Sequence, residues 1–341
     1  RIGVLFMSDC NKKDGRFEIL RIFSMILIIF HHYGCFKLLN GFGRKYSLVD
    51  IFLFSGGKLG VALFIMITGY FMIDQKIKMK KLFYLEGKVL FYTIALSGII
   101  SFFPGENLEA EELILTFFPN YRQVYWFFSS YFLLYLITPI LNKLISKFCF
   151  KTYFYFLLIG LVFLMIFPVI FKNGGRLVNT FYLGYYYCLG AFFKVYYKSY
   201  NKPKFYLIGG IITYLSIVIF SFTFNQNRVS YYTSFSDINS IFVVLCSIFV
   251  FLFFLCQKKF SCNKFLLLCG NSTFGVYLFH EHFLVKELLW NFLFRDCNFL
   301  FGKLLFVVFI CFFVAFLFDF IWNMFWNLLI SRKNIRVRNT D

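Results

Sequence analysis

Apolar runs too long for a water-soluble core limit what this chain can fold into. Residues 304–318 contain no charged or hydroxyl side chain, and residues 241–256 are interrupted only by Ser247. A helix needs roughly 20 apolar residues to cross a bilayer. The chain offers about ten such segments: 17–38, 48–72, 82–103, 125–145, 152–171, 178–197, 205–224, 238–256, 264–290 and 300–330. Every backbone amide inside lipid must find its partner within the spanning structure, so helices or closed barrels are the only solutions. The alternating ten-residue pattern of a barrel strand is missing. The expectation is an all-α, polytopic bundle of about ten transmembrane helices. Composition agrees: 60% of residues are hydrophobic and only 15% charged, against about 25% in soluble domains.

The formal charge of +19 raises the question of a nucleic-acid partner. The positions of the charges answer against it, because they fall in short loops between apolar runs. If the N-terminus lies in the cytoplasm, Lys and Arg are roughly twice as frequent on the cytoplasmic side. Both termini are then cytoplasmic and the helix count is even. The acidic group Glu106, Glu109, Glu111 and Glu112 falls outside. The expected divisions are an N-terminal segment 1–16, a transmembrane domain 17–330 and a basic tail 331–341, in a multi-pass protein of a bacterial cytoplasmic membrane. Met7 reads as a possible start, and the first apolar run as a retained helix, since it lacks a small-residue cleavage site. The ten Cys are scattered without a C-x-x-C pair, so neither a metal nor a disulfide is expected. The 56 Phe read mainly as lipid-facing filler, with sugar stacking as the functional alternative.

The first segment holds two ionisable residues that a lipid-facing helix would avoid. Arg21 and His32 lie three turns plus about 20° apart, so they share a face, roughly 16 Å apart along the axis. Charged groups at membrane depth usually face a bundle interior or a cavity. Arg grips phosphate or carboxylate with a planar fork. His can take a proton from a hydroxyl near neutral pH. The pair suits group transfer from a phosphate-bearing donor. Equally open is a plain reading, with Arg21 snorkelling to the interface and His32 bonding between helices. His31 points about 100° away and reads as packing.

The residues from Phe17 to Tyr33, with Arg21 and His32 at R-x10-H spacing, resemble the opening of the integral-membrane acyltransferase three family. Later segments resemble it in order: Gly60 to Phe71, Tyr125-Trp126 to Tyr131, Thr138-Pro139 to Asn142, Leu189-Gly190-Ala191, and Asn271 to His280-Glu281. The resemblance implies transfer of an acyl group, usually acetyl from acetyl-CoA at the cytoplasmic side, to a hydroxyl of a cell-surface or exported glycan. It implies a catalytic role for His32, with Arg21 handling the donor. Lys78 and Lys81 stand at the spacing of a basic pair found in many members, but as Lys. Five Lys between 76 and 88 suit either coenzyme A phosphates or the positive-inside rule with anionic lipid.

His280 and Glu281 point apart on a helix and are candidates for acceptor binding or for supporting the catalytic residues. Trp126 and Tyr131 suit sugar or donor stacking, or an interfacial aromatic belt. Asp319 suits pairing with a cation of the bundle, or a place at the cytoplasmic edge. No nucleophile elbow or phosphate-binding loop is present. Expected partners are a glycan or lipid-linked glycan acceptor and membrane lipid, with no nucleic acid and no metal. The competing reading is a polysaccharide flippase or polymerase. A third keeps acyl transfer with a non-glycan acceptor.

Overall fold

The computed structural model describes residues 13–39, 47–102, 109–119, 124–166, 176–197, 202–224, 233–294 and 300–338. Met7, most of the segment 1–16, Glu106 and the last three residues of the basic tail lie outside them. The described residues are helical: α1 (Gly15–Leu39), α2 (Leu48–Met72), α3 (Met79–Ser101), α4 (Ala110–Phe117), α5 (Trp126–Ile145), α6 (Phe150–Gly160), α7 (Arg176–Tyr196), α8 (Pro203–Phe224), α9 (Ile241–Cys256), α10 (Lys264–His280), α11 (Val285–Phe294) and α12 (Leu300–Arg338). A π-helical stretch, Leu161–Ile166, continues α6, and one short turn, Thr233–Ser236, precedes α9.

Among the described residues, six helices are long and apolar enough to cross a membrane: those within Gly15–Phe36, Leu48–Met72, Met79–Ser101, Trp126–Ile145, Pro203–Phe224 and Leu300–Ile330. Phe150–Met165 and Ile241–Cys256 are apolar but shorter. The other expected spans differ for local reasons. The segment 264–290 is broken after His280 into α10 and α11. The segment 178–197 is helical as far as Tyr196, but Tyr-rich and less apolar. The amphipathic α4 was not foreseen. It starts in a capping box in which the Glu112 carboxylate accepts from the Glu109 amide at 2.9 Å. The basic tail is helical as far as Arg338.

The chain forms two compact units, residues 1–77 with 130–267 and residues 78–129 with 268–341. In the first unit, α2 is the axis, packed by α1, α7, α8 and α9. A capping box starts α2: the Ser47 hydroxyl accepts from the Asp50 amide, and the Asp50 carboxylate accepts from the Ser47 amide. Two glycines let α2 and α7 touch at backbone distance. A Cβ on Gly69 would sit 2.0 Å from the Tyr187 carbonyl oxygen, and one on Gly190 would sit 2.0 Å from that of Met66. Such small-residue contacts drive packing where lipid removes the hydrophobic effect between helices. Asn142 bolts the same region. Its Nδ2 donates to the Met72 carbonyl at 2.9 Å, and the Tyr187 hydroxyl donates to its Oδ1 at 2.7 Å. Pro139 lies inside α5 and cannot bond the Tyr135 carbonyl one turn earlier. The Thr138 hydroxyl donates to that carbonyl instead, at 2.7 Å.

In the second unit, α3 packs against both α4 and α12, and α11 packs against α12. Lys88 does not belong to the basic loop where the sequence reading counted it. It lies in the body of α3, buried, with Nζ 2.6 Å from the Asp319 carboxylate on α12. The Tyr92 hydroxyl donates to the same carboxylate at 2.6 Å. A buried charge is tolerated only when paired and hydrogen-bonded, and this pair meets both conditions. Asp319 is therefore a bundle residue with a cationic partner.

Candidate active site

Helix α1 carries two arginines with contrasting surroundings. Arg16 is buried and fully engaged. Its Nε donates to both Asp14 carboxylate oxygens and its Nη2 to Oδ2 at 2.6 Å. Its Nη1 donates to the Leu255 and Gln257 carbonyls at 2.7 and 2.9 Å. All its donor nitrogens are committed to tying the start of α1 to the end of α9. Arg21 is half-buried, and its one hydrogen bond among the described residues goes from Nη1 to Glu18 Oε1. No other described residue accepts from the remaining donors of its fork.

Glu18 is a residue that the sequence reading passed over. It is buried to 2% exposure, and its Oε2 has no hydrogen-bond partner among the described residues. The signal was present: an acid three residues before Arg21 is its neighbour on a helix.

His31 and His32 separate cleanly. The His31 ring is buried; its Nδ1 donates to the Phe54 carbonyl, and Cys35 Sγ lies 3.2 Å from its Nε2. Gly57 makes room for it, since a Cβ there would fall 2.1 Å from the ring. Both ring nitrogens are occupied, so His31 is packing. His32 is only half-buried, with its ring edge-on to His31 at 5.4 Å between centroids. Of the two, His32 is the one a substrate can reach. Tyr131 on α5 belongs to the same unit and lies within electrostatic range of Arg21, beside the Thr68 hydroxyl.

The other sequence candidates sit in the second unit. Lys78 and Lys81 are exposed at the start of α3, where Lys78 is the N-cap. Helix N-termini attract anions, and the two ammonium groups add to that. His280 ends α10, fully buried, with Nδ1 donating to the Val276 carbonyl at 2.6 Å. That bond gives Nδ1 the donor role. Glu281, half-buried, begins the break that divides the long segment 264–290. Trp126 opens α5 next to α10, because the neighbouring Tyr125 hydroxyl donates to the Leu278 carbonyl at 3.0 Å. The Tyr125 and Tyr277 rings meet at 5.7 Å. The second unit thus brings the Trp126 end of α5 and the His280-Glu281 end of α10 together.

A polytopic helical protein with an arginine and a histidine on one face of its first helix belongs to a recognisable class. A family described as an acyltransferase domain matches residues 14–329, nearly the whole chain. No curated protein and no solved structure matches it. The chain belongs to the acyltransferase 3 family and is a membrane acyltransferase. The expected alternative of a flippase or polymerase gives way to that finding.

Proposed function

We propose that the protein moves an acetyl group from acetyl-CoA to a hydroxyl of a cell-surface or exported carbohydrate. In this reading it works from a bacterial cytoplasmic membrane with both termini inside, on a glycan or lipid-linked glycan. The observation that carries the donor assignment is the contrast on α1. Arg16 spends its whole fork on the protein, whereas Arg21 spends one donor and keeps the rest. A guanidinium held at one point and otherwise unspent fits a phosphate-bearing donor. Lys78 and Lys81 are exposed cations that fit the same donor, while Lys88 is withdrawn into its pair with Asp319. The donor thioester supplies an activated acyl carbonyl.

His32 acts as general base, taking the proton from the acceptor hydroxyl as its oxygen attacks the thioester carbonyl; the new ester C–O bond forms, the C–S bond breaks, and the departing coenzyme A thiolate takes the proton back from His32 to leave as the thiol. Arg21 holds donor phosphate by charge-assisted hydrogen bonds. His280 serves in binding the acceptor, and Trp126 and Tyr131 offer faces on which a sugar or the donor can stack. Glu281 serves beside His280 in holding the acceptor. The test is transfer of labelled acetyl from acetyl-CoA to glycan in membranes carrying wild type or His32→Ala. Labelled glycan with wild type and none with the variant supports the assignment; equal labelling overturns the role of His32.

A further inference from the structure

Glu18 holds a feature that catalysis by His32 and Arg21 leaves unused. A carboxylate beside an arginine normally fills both its oxygens, as Asp14 does with Arg16. Glu18 receives Arg21 on Oε1 only, and Oε2 is closed to water and unmatched among the described residues. A buried acceptor without a donor is costly, and more so when charged. We propose that Glu18 Oε2 is a positioning acceptor for the pantetheine arm of the acyl donor, receiving its secondary hydroxyl while Arg21 holds the adjoining phosphate.

The inference rests on the acetyl-CoA reading and extends it. Glu18 and Arg21 touch, so a ligand engaging both must carry an anion and a hydrogen-bond donor close together. In coenzyme A the pantoyl hydroxyl is the first such donor after the diphosphate along the arm. A hydroxyl donating to a carboxylate forms one of the stronger hydrogen bonds available. The Glu18–Arg21 contact also keeps the cradle neutral until the ligand arrives, which limits the cost of holding charge in this helix. Because Oε2 is closed to water, the hydroxyl reaches it only as the half-buried Arg21 side chain shifts to meet the phosphate.

The test measures binding, not turnover. Purified full-length protein in nanodiscs is titrated with coenzyme A and with its deoxy analogue lacking the pantoyl hydroxyl. Wild type should bind coenzyme A about tenfold more tightly than the analogue, a difference of about 1.4 kcal/mol. Glu18→Gln should bind the two alike. A general loss of folding lowers both affinities without erasing their ratio. If Glu18→Gln does not fold, the wild-type ratio alone decides. Equal binding of both ligands by wild type, or an undiminished ratio in Glu18→Gln, overturns the role of Glu18 and leaves the donor assignment standing. Absence of coenzyme A binding by wild type overturns the donor assignment itself.

Discussion

Neighbouring ionisable residues on α1 differ in what they have left to give. Arg16 is a staple and Arg21 is not, although both are arginines on the same helix. Replacing Arg16 by Ala strips two backbone carbonyls and Asp14 of their partner, and should cost about 3–5 kcal/mol. Arg21→Lys keeps a cation beside the buried Glu18 carboxylate but loses the planar fork, so it should leave the unfolding midpoint in detergent nearly unchanged while weakening coenzyme A binding. The reverse pattern in thermal melts and titrations would contradict the assignment. The R-x10-H spacing was legible because helical geometry alone puts Arg21 and His32 on one face. The same geometry turned His31 away from His32, and its occupied nitrogens agree. Glu18 was overlooked because a single acid near a helix start reads as a favourable charge for the dipole. Only its burial and its unmatched oxygen set it apart.

Among the elements, α2 is the one whose substitution would be felt most. Its contact with α7 is made at backbone distance through Gly69 and Gly190. Neither neighbouring carbonyl can move aside as a flexible side chain would. Gly69→Ala should therefore destabilise by about 1–3 kcal/mol or more and reduce the yield of monodisperse protein in detergent. Gly98 on α3 meets nothing within 4 Å, so Gly98→Ala should be neutral or stabilising by up to about 1 kcal/mol. Equal effects would show that the α2–α7 contact does not bear weight. The apolar period placed α2 and α5 within a residue of their ends, since Ser47, the run to Met72 and the Trp126 start are strong local signals. It missed the break after His280, because Glu281, His282 and the following residues are no poorer in apolar neighbours than a helix would be. The interruption is a tightened turn, with the His282 amide donating to the Phe279 carbonyl at 3.3 Å, which no hydropathy window reads. The amphipathic α4 escaped because it is too short for a spanning signal.

Over the whole molecule, sequence and structure agree on an all-helical frame. Among the described residues, six helices meet the length and composition needed to cross a bilayer. The ordered motifs from Phe17 to Glu281 point to the same family that matches residues 14–329. Partnerships across the chain were not legible, because opposite charges far apart in sequence do not announce which will meet. Lys88 was counted with a basic loop, and Asp319 was left without a named partner; the second unit joins them. Lys88→Met alone leaves a buried carboxylate unpaired and should cost about 3–5 kcal/mol, whereas Lys88→Met with Asp319→Leu should recover most of the loss. Thermal unfolding of the three variants measures this. A double variant no better than the single would show that the pair does more than neutralise itself.

The central claim is that His32 carries acyl transfer to a surface carbohydrate. Its most direct test is the O-acetyl content of surface polysaccharide, read by proton NMR from cells expressing wild type, His32→Ala at matched membrane levels, or no protein. The account predicts an acetyl signal with wild type that is lost both in His32→Ala cells and in cells without the protein. A signal that persists in His32→Ala would contradict the role of His32, and one equal in all three would contradict the carbohydrate acceptor.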